Sequence, residues 1–213
     1  MRAPIKTLTV AALAAISAFA VERATAVPPP ATARIGEPAP EFNAPDIGGK
    51  TVRLRDYAGK TIVLEWTNDG CPFVGKHYDS GNMQALQQRY TAAGIVWLTV
   101  ASSAPGEQGY VTPAGAKADL THWRAAPTDF LLDPDGIVGR AYDARATPNM
   151  VVIDRTGRIV YMGAIDDKPS TNLADVKTAH NYVAAALDAL AAGQPVAVAS
   201  TRAYGCSVKY KDE

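Results

Sequence analysis

The chain has 213 residues, with 21 basic and 21 acidic side chains, 47% hydrophobic residues and 20% charged ones, which is room for one ordinary globular domain. A net charge of zero gives no electrostatic reason to expect nucleic acid or an anionic membrane as partner, since both call for a clustered basic surface. Two cysteines are too few for a disulfide scaffold, and they match no zinc pattern of paired C-x-x-C units.

Arg2 and Lys6 precede an uncharged stretch from Thr7 to Ala20, which gives way to Val21-Glu22-Arg23 and the run Pro28-Pro29-Pro30. That is the layout of a secretory signal peptide, with small residues at Ala18-Phe19-Ala20 and Ala24-Thr25-Ala26 to serve cleavage. The apolar run is shorter than the roughly 20 residues a membrane span needs, so no span is expected once the leader is cut. An uncleaved anchor is the competing reading. The expected organisation is a signal peptide over residues 1–26, a linker over 27–34, a globular domain over 35–194 and a tail over 195–213. Export to a periplasmic or extracellular location implies an oxidising compartment, where thiol chemistry is available.

After the linker, turn residues surround short apolar pieces from Ile35 to Phe42 and at Gly48-Gly49-Lys50, and Thr51 to Leu54 alternates as a strand would. Thr61 to Trp66 and Ile95 to Ala101 are continuous apolar runs, as expected for strands buried on both faces. Between them Met83, Leu86 and Tyr90 fall at helical spacing, with Gly94 as a stop signal, so the segment from Gly70 to Tyr90 reads as the helix of a β-α-β unit. Asp129 to Leu132 reads as a strand before the Asp133-Pro134-Asp135-Gly136 turn, and Ile137 to Tyr142 as a short helix. Asn149 to Ile153 and Arg158 to Gly163 form a hairpin across Asp154-Arg155-Thr156-Gly157. A last helix is expected from an Asn172 cap, with Val176, Ala179, Val183, Leu187 and Leu190 as its apolar stripe and Gly193 and Pro195 as its end. The tail has no clear period.

Cys71 follows a buried strand and the Asn68-Asp69-Gly70 turn and directly precedes a helix, so its sulfur belongs at that helix's N-terminus. Free N–H groups and the helix dipole there favour the thiolate and raise its reactive fraction at neutral pH. An inert buried cysteine is the competing reading. Glu65 stands inside an apolar strand, where a carboxylate is costly unless paired or protonated, which suggests a proton acceptor; its alternative is a strand-end residue reaching water. His77 could shuttle protons or simply be a polar residue on a helix face.

The order G-E-x-A-P-x-F, the strand G-K-x-I-V-L-E-W, Cys71-Pro72 opening a helix, and Ala146-Thr147-Pro148 before an apolar strand and D-x-x-G resembles the thioredoxin-like redoxins. This group includes the alkyl hydroperoxide reductase and thiol-specific antioxidant family and the exported thioredoxin-like proteins of cytochrome maturation. The match runs from about Ile35 to about Gly193. The resemblance implies an α/β, thioredoxin-like fold, a mixed central sheet flanked by helices, with Pro148 cis and lying against the active cysteine. It also implies a buried acid six residues before that cysteine, where Glu65 stands, and it places His77 where exported relatives often carry a glutamate. Pro72, Thr147 and Pro148 become the substrate-docking residues.

Two departures qualify it. Val74 stands where the second cysteine of a C-x-x-C pair would be, so that exchange cycle is impossible. Leu64 and Asn68 replace the Pro and Thr of the peroxidase motif P-x-x-x-T-x-x-C, with Thr67 one residue out of register, and Pro148 stands where the peroxidase branch has an arginine, although Arg145 is close by. What remains is Cys206, in Tyr204-Gly205-Cys206-Ser207-Val208. It could resolve a Cys71 intermediate, staple the fold permanently, or pair with another molecule or stay a free thiol.

Trp66, Trp97 and Val100 are expected in the core, Asp166-Asp167 in a turn, and His122 and His180 on exposed helix positions. Cys71 with His77 supplies only two of the three or four ligands a metal needs, so no metal or other cofactor is called for. The reading is an exported thiol-dependent oxidoreductase with Cys71 as nucleophile, acting on protein or small-molecule thiols, disulfides or peroxides. A peroxidase, or a non-catalytic binding domain with a Cys71–Cys206 staple, stand as its alternatives.

Overall fold

The computed structural model describes Met1 and residues 32–211; the expected signal peptide and most of the linker lie outside these residues. Strands β1 (Asn43–Pro45) and β2 (Thr51–Arg53) make a small antiparallel ribbon. A 3-10 turn at Leu54–Tyr57 leads from it into β3 (Ile62–Trp66). Then come α1 (Pro72–Asp79), α2 (Asn82–Ala92), β4 (Val96–Ala101), α3 (Pro113–Trp123), β5 (Asp129–Leu132) and α4 (Ile137–Ala141). The two-residue β6 (Ala146–Thr147), β7 (Asn149–Ile153), β8 (Ile159–Gly163), α5 (Tyr182–Ala191) and β9 (Cys206–Ser207) complete the chain.

The central sheet has the order β5-β4-β3-β7-β8. Its strands β3, β4 and β5 run parallel, while β7 and β8 are antiparallel. This is the mixed sheet flanked by helices that the motifs imply, a thioredoxin-like α/β fold. The continuous apolar runs of β3, β4 and β7 are buried along their whole length because both faces are covered. Successive side chains point to opposite faces, so Ile62, Leu64 and Trp66 join one core with Val52, Val138 and Tyr142. Val63 and Trp97 join the other with Cys71, Val74, Met83 and Leu187, under α1, α2 and α5. Trp66, Trp97 and Val100 are core residues as expected.

Four local outcomes differ from the sequence reading. The helix expected from Gly70 to Tyr90 is two helices, because Gly81 takes a left-handed conformation (φ 76°) and restarts the chain as α2. The last helix begins at Tyr182, where the Asn181 side chain accepts from Ala184 N at 2.8 Å. Asn172 does cap, but only a 3-10 turn at Leu173–Lys177, so Val176 and Ala179 lie outside α5 and His180 sits in the turn before it. Helix α3 is an element the sequence reading lacks; its cap, Thr112 accepting from Gly115 N before Pro113, is nonetheless a readable start signal. His122 lies on it, exposed. Finally, the unpatterned tail is ordered against the domain, with Ser200 bridged to Met162 and Thr201 N donating to Met162 O at 3.0 Å.

Candidate active site

Cys71 is the N-cap of α1, its carbonyl accepting from Gly75 N at 2.9 Å, with Pro72 exposed at the first helical position. The Asn68-Asp69-Gly70 turn is closed by Cys71 N donating to Asn68 O at 3.0 Å and by Gly70 N donating to Asn68 Oδ1 at 3.0 Å. The Thr147-Pro148 peptide is cis and packs on the sulfur: the Cys71 thiol donates to Thr147 O at 3.2 Å. The residue is 1% exposed.

The tail brings the second thiol to the same place. Strand β9 pairs antiparallel with β6, with Cys206 opposite Thr147 and Ser207 opposite Ala146. Both cysteines are free, and the Thr147 hydroxyl donates to Cys206 O at 3.4 Å. Burial pushes the Cys71 thiol up, but the Cys206 thiol, the Thr147 hydroxyl and the backbone N–H groups of Val74 and Cys206 all stabilise the anion, and the outcome is a pKa below the ordinary thiol value. Cys206 moves the other way, to about 11, through burial first and then its hydrogen bond to and repulsion from Cys71. One thiol is therefore poised to ionise and its neighbour to stay protonated.

Close approach of the tail depends on Gly205. Its φ is 126°, and a Cβ there would stand 1.9 Å from Thr147 O. Gly205→Ala should therefore push the tail off β6 and slow oxidative coupling of the two thiols by about tenfold or more, given 1–3 kcal/mol of backbone strain; timed thiol trapping after an oxidant pulse measures it.

Glu65 is fully buried, which excludes its reading as a strand-end residue reaching water. Tyr78 Oη donates to Oε1 at 2.7 Å, while Trp97 Nε1 (2.7 Å), Gln87 Nε2 (3.1 Å) and Thr99 Oγ1 (3.4 Å) donate to Oε2. Burial outweighs these donors and raises its pKa. It shares the sheet face of the Cys71 core, but its hydrogen bonds go to Tyr78, Trp97, Gln87 and Thr99 rather than to the sulfur.

His77 is likewise fully buried and bonds elsewhere than Cys71. Asn82 Nδ2 donates to its Nδ1 at 2.9 Å, leaving the Nε2 hydrogen for Tyr204 Oη at 3.2 Å. Tyr204, two residues before Cys206, also accepts from Lys76 Nζ at 3.2 Å, donates to Asp166 Oδ1, and packs its ring 5.8 Å from that of Phe73. Lys76 and Asp166 form a buried ion pair at 3.4 Å, so Asp166 is no mere turn residue. Sequence reasoning missed this Lys76–His77–Asp166–Tyr204 cluster. The available signal was adjacency: Lys76 lies on the helix that Cys71 opens, and Tyr204 beside Cys206. A hollow of about 1010 Å³ borders the junction, lined by Ala146 and Asn149 around Thr147-Pro148 and by Gly205 and Ser207 around Cys206.

Comparison with known proteins agrees with this architecture. The model of the AhpC/TSA family matches residues 35–162. An uncharacterized conserved protein from Geobacillus kaustophilus superposes with a TM-score of 0.73 at 28% identity, over 84% of this chain and 94% of that one. A hypothetical protein from Sinorhizobium meliloti 1021 gives 0.69 at 24% identity, over 86% and 98%. The thioredoxin domain of a thiol-disulfide oxidoreductase from Bacteroides vulgatus gives 0.50 at 18% identity, over 69% and 97%, and shares the fold. No curated protein matches the chain. With more than half its length matched and a helix-capping cysteine set against a cis-proline loop, the chain belongs to the AhpC/TSA family of thioredoxin-fold redoxins.

Proposed function

We propose that the protein is an exported thiol-disulfide oxidoreductase whose redox couple is Cys71 and Cys206. The observation that carries this reading is the β6–β9 pairing, which sets the tail thiol against a nucleophile of lowered pKa. In the first step the Cys71 thiolate attacks one sulfur of a disulfide RSSR, and the other sulfur leaves as RS⁻. In the second, Cys206 gives up its proton and attacks the Cys71 sulfur, expelling the second RS⁻ and closing the Cys71–Cys206 disulfide. Two protein thiols are oxidised, RSSR is reduced to two thiols, and an external dithiol restores the enzyme.

The pKa arrangement supports this order of events. Two of the causes that hold Cys206 up, its hydrogen bond to Cys71 and the charge there, vanish once the Cys71 sulfur is covalently occupied. Burial, the largest cause, remains, so the resolving thiol ionises more readily after the first step than before it. Thr147 and Pro148 hold the sulfur in place, and Pro72 starts the helix whose N–H groups face it. The leader of residues 1–26 supports export.

Peroxide reduction is the second reading, favoured by the deep burial of Cys71, which a hydroperoxide penetrates more easily than a large disulfide. There the thiolate takes the distal oxygen, alcohol leaves, and Cys206 displaces water from the sulfenic acid.

Mass spectrometry after a single turnover with a small disulfide tests the couple. Wild-type protein should end as the intrachain disulfide, and Cys206→Ser should stall as the mixed disulfide on Cys71. A Cys206→Ser variant that turned over like wild type would remove Cys206 from the mechanism.

A further inference from the structure

The edge of β6 beside Cys71 is where an extended disulfide-bearing chain would add itself as a strand, since backbone pairing there brings a sulfur onto the nucleophile. In the reduced protein that edge is taken. Cys206 occupies the pairing position opposite Thr147, and Gly205 lies so near Thr147 O that no Cβ fits between them. Before Cys206 the tail is held by Tyr204, through Lys76, His77 and Asp166. After it, Val208 N donates to Arg145 O at 3.1 Å, Ala104 N to Lys209 O at 2.7 Å, and Tyr210 Oη to Ala144 O at 2.5 Å.

We infer that the reduced protein selects low-molecular-weight oxidants, short disulfides or hydroperoxides, and turns away polypeptide disulfides, because its own tail fills the substrate edge and Tyr204 latches it there. This rests on the reading of Cys71 as nucleophile. Tyr204 acts through the tail and is a positioning residue: it sets which oxidants reach the sulfur. The chemistry is unchanged from the two balanced steps above; only the size of RSSR or ROOH is restricted. The tail that excludes a large partner is also the one that carries the resolving thiol, so selectivity and resolution come from the same placement.

The test measures Cys71 oxidation in the full chain under single-turnover conditions with three oxidants. These are bis(2-hydroxyethyl) disulfide, hydrogen peroxide and an unfolded polypeptide containing one disulfide, each normalised to its rate with free dithiothreitol. Wild-type protein should prefer at least one of the small oxidants over the polypeptide by 100-fold or more, and the two small arms identify which chemistry it uses. Tyr204→Ala should raise the ratio of the polypeptide rate to the small-oxidant rates at least tenfold, with Tyr204→Phe in between. Gly205→Ala, which displaces the tail from the other side of the contact, should likewise raise the polypeptide rate relative to the small-oxidant rates, on top of its slower closing of the Cys71–Cys206 bond, so that a folding defect in one variant does not decide the result. Equal normalised rates for large and small oxidants in wild-type protein, or a Tyr204→Ala effect common to all three, would overturn the selectivity while leaving Cys71 as nucleophile. A Cys71→Ser variant reacting as fast as wild type with every oxidant would overturn the underlying reading and the selectivity with it.

Discussion

Cys71→Ser should abolish oxidant turnover, by at least about 10³-fold, because an alcohol at this helix N-cap has no anion to offer at neutral pH. The same substitution should make Cys206 more reactive. Its pKa is pushed to about 11 by burial and then by Cys71; removing the neighbouring sulfur deletes the second influence and leaves the first, so the tail thiol should fall part of the way toward its ordinary value. Each unit by which that pKa falls raises its thiolate fraction at pH 8 about tenfold. Iodoacetamide labelling of Cys206 across pH, followed by mass spectrometry, reads this out. In the reverse experiment, Cys206→Ala removes one donor from the Cys71 anion, and half-maximal labelling of Cys71 should move to higher pH. If Cys206 labels identically with and without Cys71, the two thiols do not sense one another and the timing argued for the second step fails.

Much of the scaffold was legible because it rests on local rules. Strands β3, β4 and β7 are continuous apolar runs whose only comfortable place is a sheet covered on both sides, and Cys71 sits where a strand, a turn and Pro72 fix a helix start. Glu65 was visible as an anomaly in an apolar strand, but its four donors come from α1, α2 and β4, and no spacing along one strand predicts that convergence. The same limit hid the tail latch. Lys76, Asp166 and Tyr204 are up to 128 residues apart along the chain and meet only after β8 and the tail have folded over α1. Cys206 is legible from its chemistry rather than its surroundings, since a two-residue strand paired with another two-residue strand leaves no periodic trace. The misplaced start of α5 has a related cause. Val176 and Ala179 continue the stripe of the helix in sequence, whereas the Asn181 cap and the Asp166–Asn181 bridge fix the start six residues later than Val176.

His77 makes the protein's stability depend on pH in a window that its partners define. Burial, reinforced by the Lys76 charge and only partly countered by Asp166, holds its pKa at about 4 against 6.5. A protonated ring would also turn Nδ1 into a donor facing the Asn82 amide nitrogen, while Tyr204 Oη already receives Lys76. The unfolded chain therefore binds a proton between pH 6.5 and 4 that the folded chain refuses. Stability from this residue is complete above pH 6.5 and is lost as pH falls through the window, by about 3 kcal/mol at the bottom. His77→Gln should cost about 1 kcal/mol near pH 7, where it gives up hydrogen bonds, and should flatten the wild-type slope between pH 6.5 and 4. Urea denaturation of both proteins at pH 7, 5.5 and 4.5 isolates the term, because titrations elsewhere, including that of Glu65, cancel in the difference. Parallel pH curves for the two proteins would mean that the imidazole titrates freely in the folded state and that the latch on Tyr204 does not depend on a neutral ring. Curves that cross as pH falls, with tail displacement setting in over the same range, would instead tie the seating of Cys206 to the proton that His77 excludes.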